Sequence, residues 1–193
     1  MKIPMIACVF LSLLSTQAWA TEKQILWGDT HLHTNLSFDA FTNQNFSVGP
    51  DRAYRFARGL PVEHPGHKAR VQIGTPLDFL VISDHAEFLG SVRELYEFGL
   101  PTDGMSIWQK LQVWYGQYLI RDAINKGEGR NFFVSQLPDP YDTPQEAIEA
   151  FDAATSVFPQ IPSVEFKAWH DTADAAAANN IPGTFSAILG WEY

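Results

Sequence analysis

The chain has 193 residues, 46% hydrophobic and 18% charged, an ordinary balance for a globular protein with one domain and one sizeable core. A formal net charge of -9 disfavours unspecific binding to nucleic acid or anionic lipid. It does not exclude an anionic substrate, because a metal site reverses the sign locally.

The first twenty residues form a separate unit. Lys2 supplies a positive start, Ile6 to Leu14 an apolar stretch, and Ala18-Trp19-Ala20 a small-x-small cleavage pattern. Residues 1–20 therefore read as a signal peptide, with Thr21 as the new N-terminus and a secreted or periplasmic mature chain. The alternative is an uncleaved anchor, although the stretch is short for a membrane span. No stable membrane anchor is expected after cleavage. The single cysteine, Cys8, leaves with the signal, so any metal must be held by His and carboxylates.

Ile25 to Thr30 reads as a buried strand with polar residues at its C-terminal end. Pro50 to Gly59 reads as a helix, with proline in its first turn and glycine as its stop. Leu60 to Thr75, with Pro61, Pro65, Gly66 and Gly74, reads as loop. Phe79 to Ile82 is a continuous apolar run that suits a strand buried on both faces of a parallel sheet, followed by Ser83-Asp84-His85. Ile107, Leu111, Trp114 and Tyr118 recur at helical spacing, and Gly127 closes that helix. Thr143-Pro144-Gln145-Glu146 is a capping box opening a helix whose buried face is expected at Ile148, Phe151 and Val157. A further helix is expected from about Ser163 to Ala178, then a strand from Phe185 to Leu189 that delivers Gly190-Trp191-Glu192. The order is strand, helix, strand, several helices, strand: an α/β fold with a parallel sheet and a helical insertion over about 100–180, between the second and third strands.

The chemistry begins at His31-Leu32-His33. In a strand, residues two apart face the same way, so both imidazoles can reach one ion. Six histidines in 193 positions give about 0.2 such pairs by chance, so the pair needs support. Support comes from position. Each expected strand ends in possible ligands: His31 and His33, then Asp84 and His85, then Glu192, with Asp39 a few residues past the first pair. Weaker candidates are His64 and His67 in a Pro/Gly loop and His170 on a helix, all read as solvated. Arg52, Arg55 and Arg58, at helical i, i+3, i+6 spacing, are read as a solvated face.

The pattern Gly28-Asp29-Thr30-His31-Leu32-His33-Thr34, Ser37-Phe38-Asp39-Ala40, Pro76-Leu77-Asp78-Phe79-Leu80 and Ser83-Asp84-His85-Ala86-Glu87 resembles the PHP (polymerase and histidinol phosphatase) superfamily. Ala86-Glu87-Phe88-Leu89-Gly90 and the ending from Pro182 to Tyr193 resemble one secreted bacterial branch, catalogued as a domain of unknown function. The resemblance implies a distorted (β/α)7 barrel, of which 21–193 would be the N-terminal portion. It also implies two or three divalent ions (zinc, manganese or iron) at the strand C-termini. By position, His31 and His33 resemble ligands of the first metal, Glu192 the carboxylate bridging the first and second, and Asp39 and His85 ligands of the third. Asp29 and Asp84 resemble groups that orient His or water.

The expected activity is hydrolysis of a small anionic phosphoester by metal-activated water, with no nucleic-acid partner. An amidohydrolase acting on C–N bonds and a secreted metal- or ligand-binding module without turnover remain open as alternatives. Later-strand ligands are absent from this chain, which on this reading holds about half of the site and is not fully active alone.

Overall fold

The computed structural model describes residues 23–135, 141–153 and 161–193. The expected signal peptide lies outside the described residues, as do Val157 and the side chain of Phe151.

Three strands build the main sheet: β1 (Gly28–Leu32), β4 (Phe79–Ile82) and β5 (Ser186–Leu189), ordered β1-β4-β5 and all parallel. Between β1 and β4 lie the short α1 (Phe38–Thr42), α2 (Pro50–Ala57) and a two-stranded antiparallel hairpin, β2 (Val62–Glu63) with β3 (Arg70–Val71). Between β4 and β5 lie α3 (Ser91–Glu97), α4 (Ile107–Asn125), α5 (Gly129–Val134), α6 (Pro144–Ala153) and α7 (Pro162–Asn179). Parallel pairing places all three strand C-termini on one edge, which is where the candidate ligands were expected.

α2 starts where proline costs nothing, because an N–H in the first turn has no partner to lose. It stops at Gly59, whose φ of +76° lets Gly59 N–H and Leu60 N–H reach back to the carbonyls of Phe56 and Arg55. Its Ala53, Tyr54 and Ala57 pack against Leu80 and Ile82 of β4 and Ala175 and Ala176 of α7. The small alanines let both helices approach the sheet closely. The two helices are tied by hydrogen bonds from Arg58 to Asn179 (2.9 Å) and from Asn179 to Asp51 (2.9 Å). Arg58 is therefore spent on this joint rather than on solvent. α7 acts as the crossover helix onto β5, although the sequence placed its residues within the insertion.

Other expectations are corrected too. The first strand is Gly28–Leu32 and is exposed up to the half-buried Leu32, and Ile25, Leu26 and Trp27 precede it, also exposed. β4 is fully buried on one face only: Leu80 and Ile82 are covered by α2 and α7, while Phe79 and Val81 are half-buried. The stretch from Leu60 to Thr75 contains the β2–β3 hairpin. On α6, Ile148 is exposed.

On α4 the helical period held, but the covered face is Ile120, Ala123 and Ile124, while Ile107, Leu111, Trp114 and Tyr118 face outward. A second, aromatic-rich cluster joins α1, α3, α4 and α5 through Phe41, Val92, Leu95, Ile120 and Ile124, with Phe38, Phe46, Phe88, Tyr96 and Phe133 around it.

Candidate metal centre

The register of β1 on β4 slips by one residue between Asp29 and Leu32, a bulge that re-aims the end of β1. The Asp29 carboxylate accepts the His31 backbone N–H at 2.8 Å and so braces this bend. Past it, the His31 and His33 rings lie side by side, centroids 5.0 Å apart. Leu32 between them packs on the opposite side, against the sheet–helix core. β4 and β5 keep their register beyond the strands, where His85 and Glu192 form a parallel bridge.

These four residues and Asp39 converge. Glu192 Oε2 lies 3.1 Å from His31 Nε2, 2.8 Å from His33 Nε2 and 3.8 Å from His85 Nε2. Asp39 Oδ2 lies 2.8 Å from His33 Nδ1 and 3.9 Å from His85 Nε2. Two overlapping triads, His31–His33–Glu192 and His33–Asp39–His85, each bring one donor atom per residue within 4.8 Å of the others, a spacing able to hold a metal ion. Donors about 2.0–2.1 Å from a tetrahedral ion stand roughly 3.4 Å apart, which the observed separations bracket.

The clearest test of fit is His33. Against the Asp39 carboxylate, its Nδ1 must donate, and in a neutral imidazole this leaves the lone pair on Nε2. That Nε2 is buried and makes no hydrogen bond, although Glu192 Oε2 is only 2.8 Å away. Two lone pairs this close repel unless a positive charge lies beside them. The donor set therefore suits a divalent cation. One imidazole cannot offer both nitrogens as lone pairs, so while Asp39 holds Nδ1, His33 belongs to the triad with His31 and Glu192.

Behind the candidate ligands lies a hydrogen-bond frame. Asp84 accepts from both the backbone N–H and the hydroxyl of Thr34 (2.7 Å to the latter), and all of this is buried. Asp84 thus clamps the chain just after His33 rather than touching a histidine side chain. Burial pushes its carboxyl above the ordinary value, even though the Thr34 bonds pull it down. At Asp39 the balance is reversed. Burial raises the carboxyl, but hydrogen bonds from Ser37, His33 and the Ala40 N–H outweigh it and hold the group below its ordinary range. Ser37 sits at the N-cap position of α1 without capping it; its hydroxyl donates to Asp39 at 2.6 Å and accepts the His85 backbone N–H at 3.2 Å. It links the ligand loops of β1 and β4.

The family model described as "Protein of unknown function (DUF3604)" matches residues 20–193. The chain belongs to the DUF3604 family. No curated protein and no solved structure matches it. All five converging residues of this DUF3604 chain lie within the matched span.

The structure brings together His31, His33, Asp39, His85 and Glu192, and leaves the weaker candidates elsewhere. His64 and His67 stack on each other (3.7 Å) in the β2–β3 hairpin. That hairpin joins the end of α2 to the start of β4, at the opposite edge of the sheet. His170 is exposed on α7 against Phe166. A cleft of about 470 Å³ also lies off the cluster, among Asn35, Ser47, Arg52, Arg93 and Asp171. Thr34 and Ser37 are the supporting residues that sequence reasoning missed; the signal for Ser37 is its place at the head of α1, two residues before a ligand candidate.

Proposed function

We propose that this chain carries the metal centre of a secreted, metal-dependent phosphoesterase of the PHP type, with two or three divalent ions held at the C-terminal edge of its sheet. The observation that carries the metal reading is the buried, unpartnered Nε2 of His33 facing Glu192 at 2.8 Å. The barrel reading is supported by three parallel strands with helices packed on one face and half-buried or exposed residues such as Phe79, Val81 and Ile188 on the other. The phosphoester class rests on the motif resemblance.

In this reading His31 and His33 hold the first ion through Nε2, with Glu192 beside them, and Asp39 and His85 contribute to a further ion. Bound divalent ions supply Lewis acidity toward phosphoryl oxygens and lower the pKa of water toward neutrality. The chain's own side chains supply the positioning. Asp39 keeps the proton of His33 on Nδ1, Ser37 holds Asp39 against the His85 loop, and Asp84 fixes the turn that follows His33. A small anionic phosphoester would be drawn by the ions despite the acidic surface.

The test is metal analysis of the full chain combined with turnover of an aryl phosphate and an aryl amide. Stoichiometric metal with phosphate release supports the proposal. Release of the amine alone points to a C–N hydrolase. Bound metal with neither product points to a binding module, and no metal binding sinks the reading altogether.

A further inference from the structure

His33 and His85 are oriented by different means. The His33 ring is fixed through Nδ1 by Asp39. His85 has no side-chain hydrogen bond among the described residues, since its Nε2 contacts to Asp39 and Glu192 are 3.9 and 3.8 Å. Its backbone is held by Ser37, but that leaves the ring free to turn about its side-chain bonds. A ligating histidine ordinarily has its other nitrogen pinned by a carboxylate or carbonyl.

What His85 has instead is ring contacts: the His33 ring meets it edge-on at 4.8 Å and 67°, and a stack covers its face. Its ring lies on Phe38 with centroids 4.6 Å apart and planes at 28°. Phe38 stacks in turn on Phe133, at 4.5 Å and 26°, and meets Phe88 edge-on at 6.4 Å and 81°. Phe38 belongs to α1 and Phe133 to α5, so the column runs from the ligand into the helical insertion. α5 is seated tightly: a Cβ at Gly129 would stand 2.6 Å from the Thr42 carbonyl at the end of α1.

We infer that Phe38, backed by Phe133, is the positioning residue of His85: the aromatic column sets the ring plane that the Asp39 hydrogen bond sets for His33. The insertion is then part of the centre rather than an appendage. Offset stacking suits this task because it resists rotation of the ring while leaving both nitrogens free. Phe38→Leu keeps the apolar volume and loses the plate, Phe38→Tyr keeps the plate, and Phe133→Leu removes the support behind it.

The inference rests on the metal-centre reading, so the test has one arm with metal and one without. In the metal-free full chain, NMR of the His85 ring should show upfield ring-current shifts that Phe38→Leu largely removes, Phe133→Leu reduces and Phe38→Tyr retains. In a cobalt(II) titration, the binding event that His85→Ala removes should weaken roughly 3- to 10-fold in Phe38→Leu, and recover in Phe38→Tyr. The event assigned to His31 and His33 should be unchanged. Equal weakening of both events, a tyrosine variant that behaves like the leucine one, or wild-type His85 shifts surviving in Phe38→Leu would each overturn the inference. If Phe38→Leu does not fold, Phe133→Leu carries both arms. Absence of any cobalt binding would sink the metal-centre reading and leave the ring-current arm to decide this one.

Discussion

Tyr54 offers a way to test how the helix layer holds the strand that delivers Glu192. Its side chain is fully buried on α2, and its hydroxyl donates to the Ile188 carbonyl of β5 at 2.8 Å. Burial, with the nearby Asp84 charge adding to it, pushes the phenol from 10.0 up to about 12. The folded state therefore holds this proton more tightly than the unfolded state does. The corresponding stability is fully present below pH 10 and is lost as pH rises toward 12, where only the unfolded chain gains by ionising. At about 1.4 kcal/mol per pH unit, the gap amounts to about 3 kcal/mol. Tyr54→Phe should lose about 1–2 kcal/mol at pH 8, the worth of a buried hydrogen bond whose acceptor is left behind. Between pH 10 and 12 it should then fall less steeply than wild type, until the two stabilities meet or cross. Urea unfolding followed by tryptophan fluorescence, run on both proteins across this range, measures the difference directly, because every other titrating group cancels. Parallel stability curves from pH 8 to 12 would refute the reasoning.

Three further outcomes follow from the centre and its frame. Asp39→Asn keeps the shape but removes the charge that holds the His33 proton on Nδ1, and should lower affinity for the first divalent ion about 10- to 100-fold by calorimetry; unchanged affinity would remove Asp39 from that role. Thr34→Val deprives the buried Asp84 carboxylate of one of its two donors and should cost about 1–3 kcal/mol in urea unfolding, with Thr34→Ser restoring most of it. Gly190→Ala would place a Cβ 2.6 Å from the Val81 side chain and 3.1 Å from the Ile82 carbonyl, so Val81 or the chain just after β5 must shift; the expected cost is about 1–3 kcal/mol, with weaker metal binding at Glu192. A Gly190→Ala chain with an unchanged unfolding midpoint would show that the sheet yields there freely.

The candidate ligands were legible, and so were Asp29 and Asp84 among their supports, but the rest of the frame was not, for a physical reason. His31, His33, His85 and Glu192 could be found because parallel pairing sends every strand C-terminus to one edge, and Phe79 to Ile82 marks its strand by composition alone. Chain topology places those residues, and topology follows from local patterns of apolar runs, Pro50 and Gly59. Burial does not. An apolar run such as Ile25 to Trp27 says nothing of what pairs beside it, and the helical period of α4 fits Leu111 and Trp114 as well as Ile120 and Ile124, whichever face is covered. The frame lies further still from local signal. Thr34 to Asp84, Ser37 to His85 and Phe38 to Phe133 join segments from about fifty to nearly a hundred residues apart, through side chains that are ordinary at their own positions. The bulge between Asp29 and Leu32 belongs with them, since a register slip exists only relative to the partner strand. The choice of candidate metal-binding residues is thus written along the chain, whereas the geometry that would tune them is written in contacts between distant segments. Substitutions in the frame should accordingly change how tightly an ion is held before they change whether one is held at all.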